Sequence, residues 1–299
     1  MRRNLCCAAV LLAGYACSAL HVTTADGHKL WYRWSKAPDP AGLAPLVVLH
    51  GGPQIPSDYL FNLEGISGGA RSVLFFDQLG CGRSDRPEAS DAYSVDKAVR
   101  DLQCVLETLE VTQYHLYGQS WGGLLAFLSV SAGSTPLSLT LSNAPASVAL
   151  AEAEAGALAE ACEEPVAVVK RLGSRATTRG ARRKASRKRF MERHSYRGAG
   201  EAPQLAAAYA HAGNTWRGTA AIAGLEASAE AMARVACPTL VLRGEHDFVT
   251  SACVEAWRGL GDVSFEELPD CSHHALLEAP DEYLRVVGAF LAARDVDCA

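Results

Sequence analysis

Two hydrophobic periods take turns along this chain. Pro45-Leu46-Val47-Val48-Leu49 and Ser72-Val73-Leu74-Phe75-Phe76 are unbroken apolar runs of strand length, the pattern of strands covered on both faces. Tyr114-His115-Leu116-Tyr117, Leu137-Ser138-Leu139-Thr140-Leu141, Pro238-Thr239-Leu240-Val241-Leu242 and Val263-Ser264-Phe265-Glu266-Glu267-Leu268 predict four more strands. Between them the period lengthens. Val95, Val99, Leu102, Leu106 and Leu109 recur at helical spacing behind a capping Ser94. Residues 121–130 read as a second helix and 281–293 as a closing one. Strands alternating with helices predict an α/β fold, a mostly parallel sheet with helices on both sides. Ahead of it, β-prone residues 21–25 and 29–34 flank an Asp26-Gly27 turn, a hairpin that adds an antiparallel N-terminal edge.

Residues 146–234 break the alternation. They are rich in Ala and Glu, helix-prone and without a convincing strand, and read as a helical cap inserted into a core of residues 21–145 and 235–299. Within the cap, residues 170–197 hold 12 Lys or Arg against one acid, Glu192, in a chain of net charge −5. Such a stretch is either a solvated arm or a patch that attracts an anionic surface, substrate or partner. It lacks the interleaved aromatics that stack on single-stranded nucleic acid, so no nucleic-acid partner is expected. With 299 residues, 49% of them hydrophobic, the chain has material for one large domain carrying an insertion, and a wholly disordered chain is excluded.

The first 20 residues look like an address. Met1-Arg2-Arg3-Asn4 is basic, Leu5 to Ala16 is almost wholly apolar, and Ala16-Cys17-Ser18-Ala19 supplies small residues, the layout of a secretory signal peptide. This predicts a secreted or endomembrane protein; read as a buried first helix, the same segment leaves the chain cytoplasmic. The run is too short for a transmembrane span. Its removal leaves Cys81, Cys104, Cys162, Cys237, Cys253, Cys271 and Cys298, an odd and scattered set that is no disulfide framework. No CxxC and no Cys/His cluster has zinc spacing, so no metal is expected.

The chemistry centres on Gly118-Gln119-Ser120-Trp121-Gly122, a G-x-S-x-G placed between an incoming strand and an outgoing helix. That turn exposes the serine hydroxyl at a sheet edge and aims helical N–H groups at an adjacent oxygen. A serine needs a base, and His273 or His274, just past the last strand, suits the chain order Ser…acid…His. The orienting carboxylate is Asp247, at the end of the strand before it, with Glu245 as rival. His50-Gly51-Gly52-Pro53 follows another strand; its glycines and the N–H of Trp121 make a two-donor oxyanion hole. Of the other histidines, His50 reads as shaping its loop, His115 as core, and His21, His28, His194 and His211 as surface. No phosphate-binding or dinucleotide-binding glycine motif is present, and no cofactor is implied.

Leu49-His50-Gly51-Gly52-Pro53, Phe76-Asp77-Gln78-Leu79-Gly80-Cys81-Gly82-Arg83-Ser84 and Gly118-Gln119-Ser120-Trp121-Gly122-Gly123 resemble three signature stretches of the proline iminopeptidases, serine peptidases of the α/β-hydrolase fold. Gly244-Glu245-His246-Asp247 and Ser272-His273-His274 resemble that family's acid and histidine blocks. The resemblance implies a triad of Ser120, Asp247 and His273, oxyanion donors at Gly52 and Trp121, and Asp77 and Gln78 as organisers of the loops beside them. It implies an acyl-enzyme that releases an N-terminal residue, proline preferred, from a small or short-peptide substrate.

The departures concern the free amine. Phe248 stands where the family places a carboxylate after its aspartate, the usual cap glutamate falls near Trp216, and Gln54 replaces a glycine. Glu226 or Glu230 could substitute for the missing cap acid. An esterase or amidase for small apolar acyl groups, or a ligand-binding receptor with vestigial turnover, are the alternatives these departures leave.

Overall fold

The computed structural model describes residues 20–39, 42–163 and 179–295. The expected leader, residues 170–178 of the basic stretch and Cys298 lie outside them.

Eight strands form one sheet: β1 (Leu20–Thr23), β2 (Lys29–Trp34), β3 (Leu46–Leu49), β4 (Val73–Phe76), β5 (His115–Gln119), β6 (Ser138–Ser142), β7 (Thr239–Gly244) and β8 (Val263–Leu268). Their spatial order is β1-β2-β4-β3-β5-β6-β7-β8. The hairpin β1–β2 is antiparallel, as is β2 against β4, and every pairing from β4 onward is parallel. The unbroken apolar runs have a simple cause. In β3 and β4, Val47, Leu49, Leu74 and Phe76 enter one core, while Leu46, Val48, Val73 and Phe75 enter the other. A strand with helices on both faces has no polar side to show. β8, at the edge, alternates between half-buried and exposed positions from Val263 to Glu266, then exposes Glu267 and buries Leu268.

Helix α1 (Val95–Thr108) starts where Ser94 accepts the N–H of Lys97, the expected cap, and buries Leu102, Val105 and Leu106. Helix α2 (Trp121–Ser131) is apolar all round and buried along nearly its whole length. Between β6 and β7 come α3 (Val148–Ala161), α4 (Arg179–Phe190), a π-helical turn at Met191–Ser195, and α5 (Pro203–Ala210). Among the described residues this segment holds no named strand, only an isolated bridge between Ser147 and Glu226. Helix α6 (Pro280–Ala292) closes the chain against the sheet.

Because β3, β5, β6, β7 and β8 run parallel, their carboxyl ends open at one edge, and His50, Ser120, Asn143, Asp247 and His273 all follow those ends. The six described cysteines are free thiols, and no described helix is long and apolar enough to cross a membrane.

Candidate active site

Ser120 sits between the last residue of β5 and the first of α2 with φ 56° and ψ −122°, a conformation an L-residue adopts only under constraint. The constraint is visible. Its N–H donates to the carbonyl of Ser142 at 2.8 Å and its own carbonyl accepts the N–H of Gly123 at 2.9 Å. The flanking residues of the turn are buried while Ser120 stays half-buried, its side chain on the wall of a cavity of about 610 Å³. His273, Gly52 and Phe248 line the same cavity.

Behind His273 lies Asp247, its carboxylate fully buried and 2.8 Å (Oδ1) from the ring Nδ1. The same carboxylate accepts the amide of Asn143 on Oδ2 at 2.6 Å and the backbone N–H of Val249 on Oδ1 at 2.9 Å. These three contacts satisfy the hydrogen-bonding capacity that burial would otherwise leave unmet. Glu245, the rival acid, points elsewhere: it is exposed and accepts the backbone N–H of Asp270. His274 is buried beside His273, ring centroids 5.4 Å apart, and its Nδ1 has no hydrogen-bond partner. Burial first, and the neighbouring His273 second, hold the His274 imidazole well below its ordinary range, so it stays neutral.

The loop after β3 is tied to the rest of the site by Gln78. Its backbone N–H donates to Nε2 of His50 at 2.9 Å, its side-chain amide donates to the His50 carbonyl at 2.8 Å, and its Oε1 accepts the indole N–H of Trp121 at 2.9 Å. Burial lowers the His50 pKa and keeps the ring a neutral acceptor. Gly52, at φ 122°, has room for no side chain: a Cβ there would lie 2.6 Å from the N of Gln54. Trp121 opens α2, so its backbone N–H has no helical carbonyl to meet. Asp77 holds the neighbouring loops, accepting Ser57 Oγ at 2.6 Å and the Arg83 backbone N–H at 3.0 Å.

Side chains to which the sequence assigned no role complete the frame. The Tyr59 hydroxyl accepts the Gly51 N–H at 2.8 Å and donates to Gln119 Oε1 at 2.7 Å, while Gln119 Nε2 donates to the His273 carbonyl at 3.2 Å. His194, expected at the surface, is half-buried; its Nδ1 meets the His246 carbonyl at 2.8 Å, because the π-helical turn leans on the loop after β7. Of the three expected pocket residues only Phe248 lines the cavity, its ring 4.0 Å from that of His273. Glu226 is exposed in the bridge to Ser147. Trp216 packs edge-on against Trp121 at 5.5 Å, and its backbone N–H donates to Oε1 of Gln54 at 3.0 Å. Two departures from the family pattern therefore touch each other behind the loop of Gly52.

The fold and this arrangement define the class: the chain belongs to the α/β-hydrolase-fold family, whose sequence pattern it matches over residues 44–280. Its relatives are more specific. It is 28% identical to the proline iminopeptidase of Thermoplasma volcanium over 281 residues, 89% of this chain and 94% of that one. To the proline iminopeptidase of Lactobacillus delbrueckii subsp. lactis it is 44% identical over 88 residues, a match spanning 28% of this chain and 30% of the relative's length. The crystal structure of the Mycobacterium smegmatis proline iminopeptidase is similar with a TM-score of 0.79 at 27% identity, over 93% of this chain and 99% of that one.

Proposed function

We propose that the protein is a serine hydrolase that cleaves ester or amide bonds through an acyl-enzyme. The observation that carries this reading is the 2.8 Å contact from Nδ1 of His273 to a fully buried Asp247, with His273 and Ser120 on the wall of one cavity. Asp247 holds the Nδ1 proton and leaves Nε2 free to take the proton of the Ser120 hydroxyl. The oxygen attacks the substrate carbonyl, and the N–H groups of Gly52 and Trp121 receive the developing oxyanion. His273 then protonates the leaving group, and water repeats the sequence to release the acid.

Release of an N-terminal residue, proline preferred, is supported by the names of the relatives. The cavity favours a second substrate reading. Among the described residues its lining includes no carboxylate, and Phe190, Met191, Tyr209 and Phe248 make much of it apolar. A buried ammonium without a countercharge costs several kcal/mol, roughly the whole benefit of binding it. We therefore favour an esterase or amidase for acyl groups that carry no free amine.

Labelling with a fluorophosphonate probe tests the nucleophile: wild type takes the label and Ser120→Ala does not. Labelling that survives Ser120→Ala would overturn the assignment. Parallel assays of proline 4-nitroanilide and 4-nitrophenyl butyrate separate the substrate readings, and faster turnover of the proline substrate would reinstate the peptidase.

A further inference from the structure

Among the described residues that line the cavity beside Ser120, the one side chain with a permanent charge is Arg187, whose guanidinium is carried on α4. Arg187 is exposed and also lines the cavity, which places it at the mouth. No described carboxylate makes an ion pair with it; the single acid of that segment, Glu192, pairs with Lys188 at 3.5 Å. The phenol of Tyr209, on α5, lines the same cavity and lies within the field of the Arg187 charge. Arg183, Lys184 and Arg193 also stand exposed on the same helix and turn, so the element that carries Arg187 is basic along its length. A free α-amine would meet repulsion from Arg187, whereas a carboxylate would be attracted to this helix and would find the one group in the described lining built to bind it bidentately.

We propose that the substrate carries a carboxylate remote from the scissile carbonyl, and that Arg187 binds it. This rests on the hydrolase reading given above and narrows its substrate class to monoesters or monoamides bearing a free acid. The reaction stays an ordinary hydrolysis: the Ser120 oxygen bonds the acyl carbon, the alcohol or amine leaves with the proton from His273, and water regenerates Ser120 with release of the acid.

The carboxylate can stand on either side of the ester, and two substrate pairs distinguish the cases. Mono-4-nitrophenyl adipate against its methyl-capped diester places it on the acyl part. The butyrate ester of 3-(4-hydroxyphenyl)propanoic acid against its methyl ester places it on the leaving group. In wild type, kcat/KM should favour the free acid by about tenfold or more in at least one pair, as a charge-assisted contact allows. That ratio should shrink with rising NaCl, collapse to within about twofold in Arg187→Ala, and invert in Arg187→Glu. Preference for the capped ester in both pairs, or a free-acid preference that survives Arg187→Ala, overturns the proposal. Fluorophosphonate labelling is run on the same samples. Labelled protein without acid preference removes this inference alone, while absence of Ser120-dependent labelling removes the hydrolase reading and this inference with it.

Discussion

Three donors converge on the carboxylate of Asp247, and the sequence named only one of them. Chain order left His273 or His274 as the base, and the resemblance of the histidine block selected His273; Val249 is a neighbour in the chain; Asn143 arrives from the end of another strand. Asn143 adopts φ 50°, and its side-chain amide lies 2.6 Å from Oδ2. Removing it leaves a buried carboxylate oxygen without its donor and loosens the orientation of His273. Asn143→Ala is expected to lower kcat by about 10- to 100-fold, the usual cost of losing a partner that orients an active group, with KM little changed. Steady-state kinetics on a chromogenic ester measures it, and an undiminished kcat would deny Asn143 a positioning role. Tyr59 escaped notice for the same reason as Asn143, since an isolated Tyr carries no sign of the partner it will meet. Gln119 stands in the serine motif, but at a variable position whose side-chain partners the motif does not specify.

At the level of elements, the strand–serine–helix turn was readable because everything it needs is local: an apolar run in, an apolar helix out, and small residues between. The packing makes Gly122 obligatory. A Cβ on that residue would lie 2.3 Å from the carbonyl oxygen of Leu49 and 2.6 Å from that of His50, both backbone atoms that cannot swing aside. Gly122→Ala should therefore destabilise by about 3 kcal/mol and lower Tm by roughly 5 °C or more. Differential scanning calorimetry decides it, and an unchanged Tm would mean that α2 does not press on β3 as described. Helix α4 stands at the other extreme. Its composition, RGARRKASRKRF, announces charge and nothing more, because what a basic helix faces depends on elements distant in sequence. Here Arg187 and Phe190 reach the cavity wall, and the ring of Phe190 lies 6.0 Å from that of Phe248.

Across the whole molecule, the edge of the sheet opposite the site holds a buried polar knot that joins the chain's end to its middle. Arg71 donates to both oxygens of Asp295, at 2.9 and 2.7 Å, and His115 in β5 meets Asp295 at 3.2 Å and Ser138 at 2.8 Å. Burial pushes the His115 pKa down from 6.5 to about 4, although Asp295 pulls the other way. The unfolded chain therefore binds a proton that the folded chain refuses between those values. Stability carried by neutral His115 is complete above pH 6.5 and drains away as the pH falls toward 4. Asp101 opposes this trend, since burial raises its pKa from 3.8 to about 6 and its contribution weakens as the pH rises across that interval. Comparison with His115→Gln isolates the histidine. The stability of wild type relative to the variant should fall by up to about 1.4 kcal/mol per pH unit between pH 6.5 and 4, read from urea midpoints. A difference independent of pH would show that His115 titrates alike in both states.

The amino-acid sequence alone determined the alternation of strands and helices, the antiparallel edge, and the chain order of Ser120, Asp247 and His273, because periodicity, turn chemistry and motif spacing are properties of neighbouring residues. Only the folded chain decided which residues meet across distance. It brought Asn143 to Asp247, set Gln54 against Trp216, drew His194 into the loop after β7, and placed Arg187 rather than Glu226 on the cavity wall. Those contacts join segments tens to more than a hundred residues apart, and they are fixed by the packing of layers rather than by any local preference.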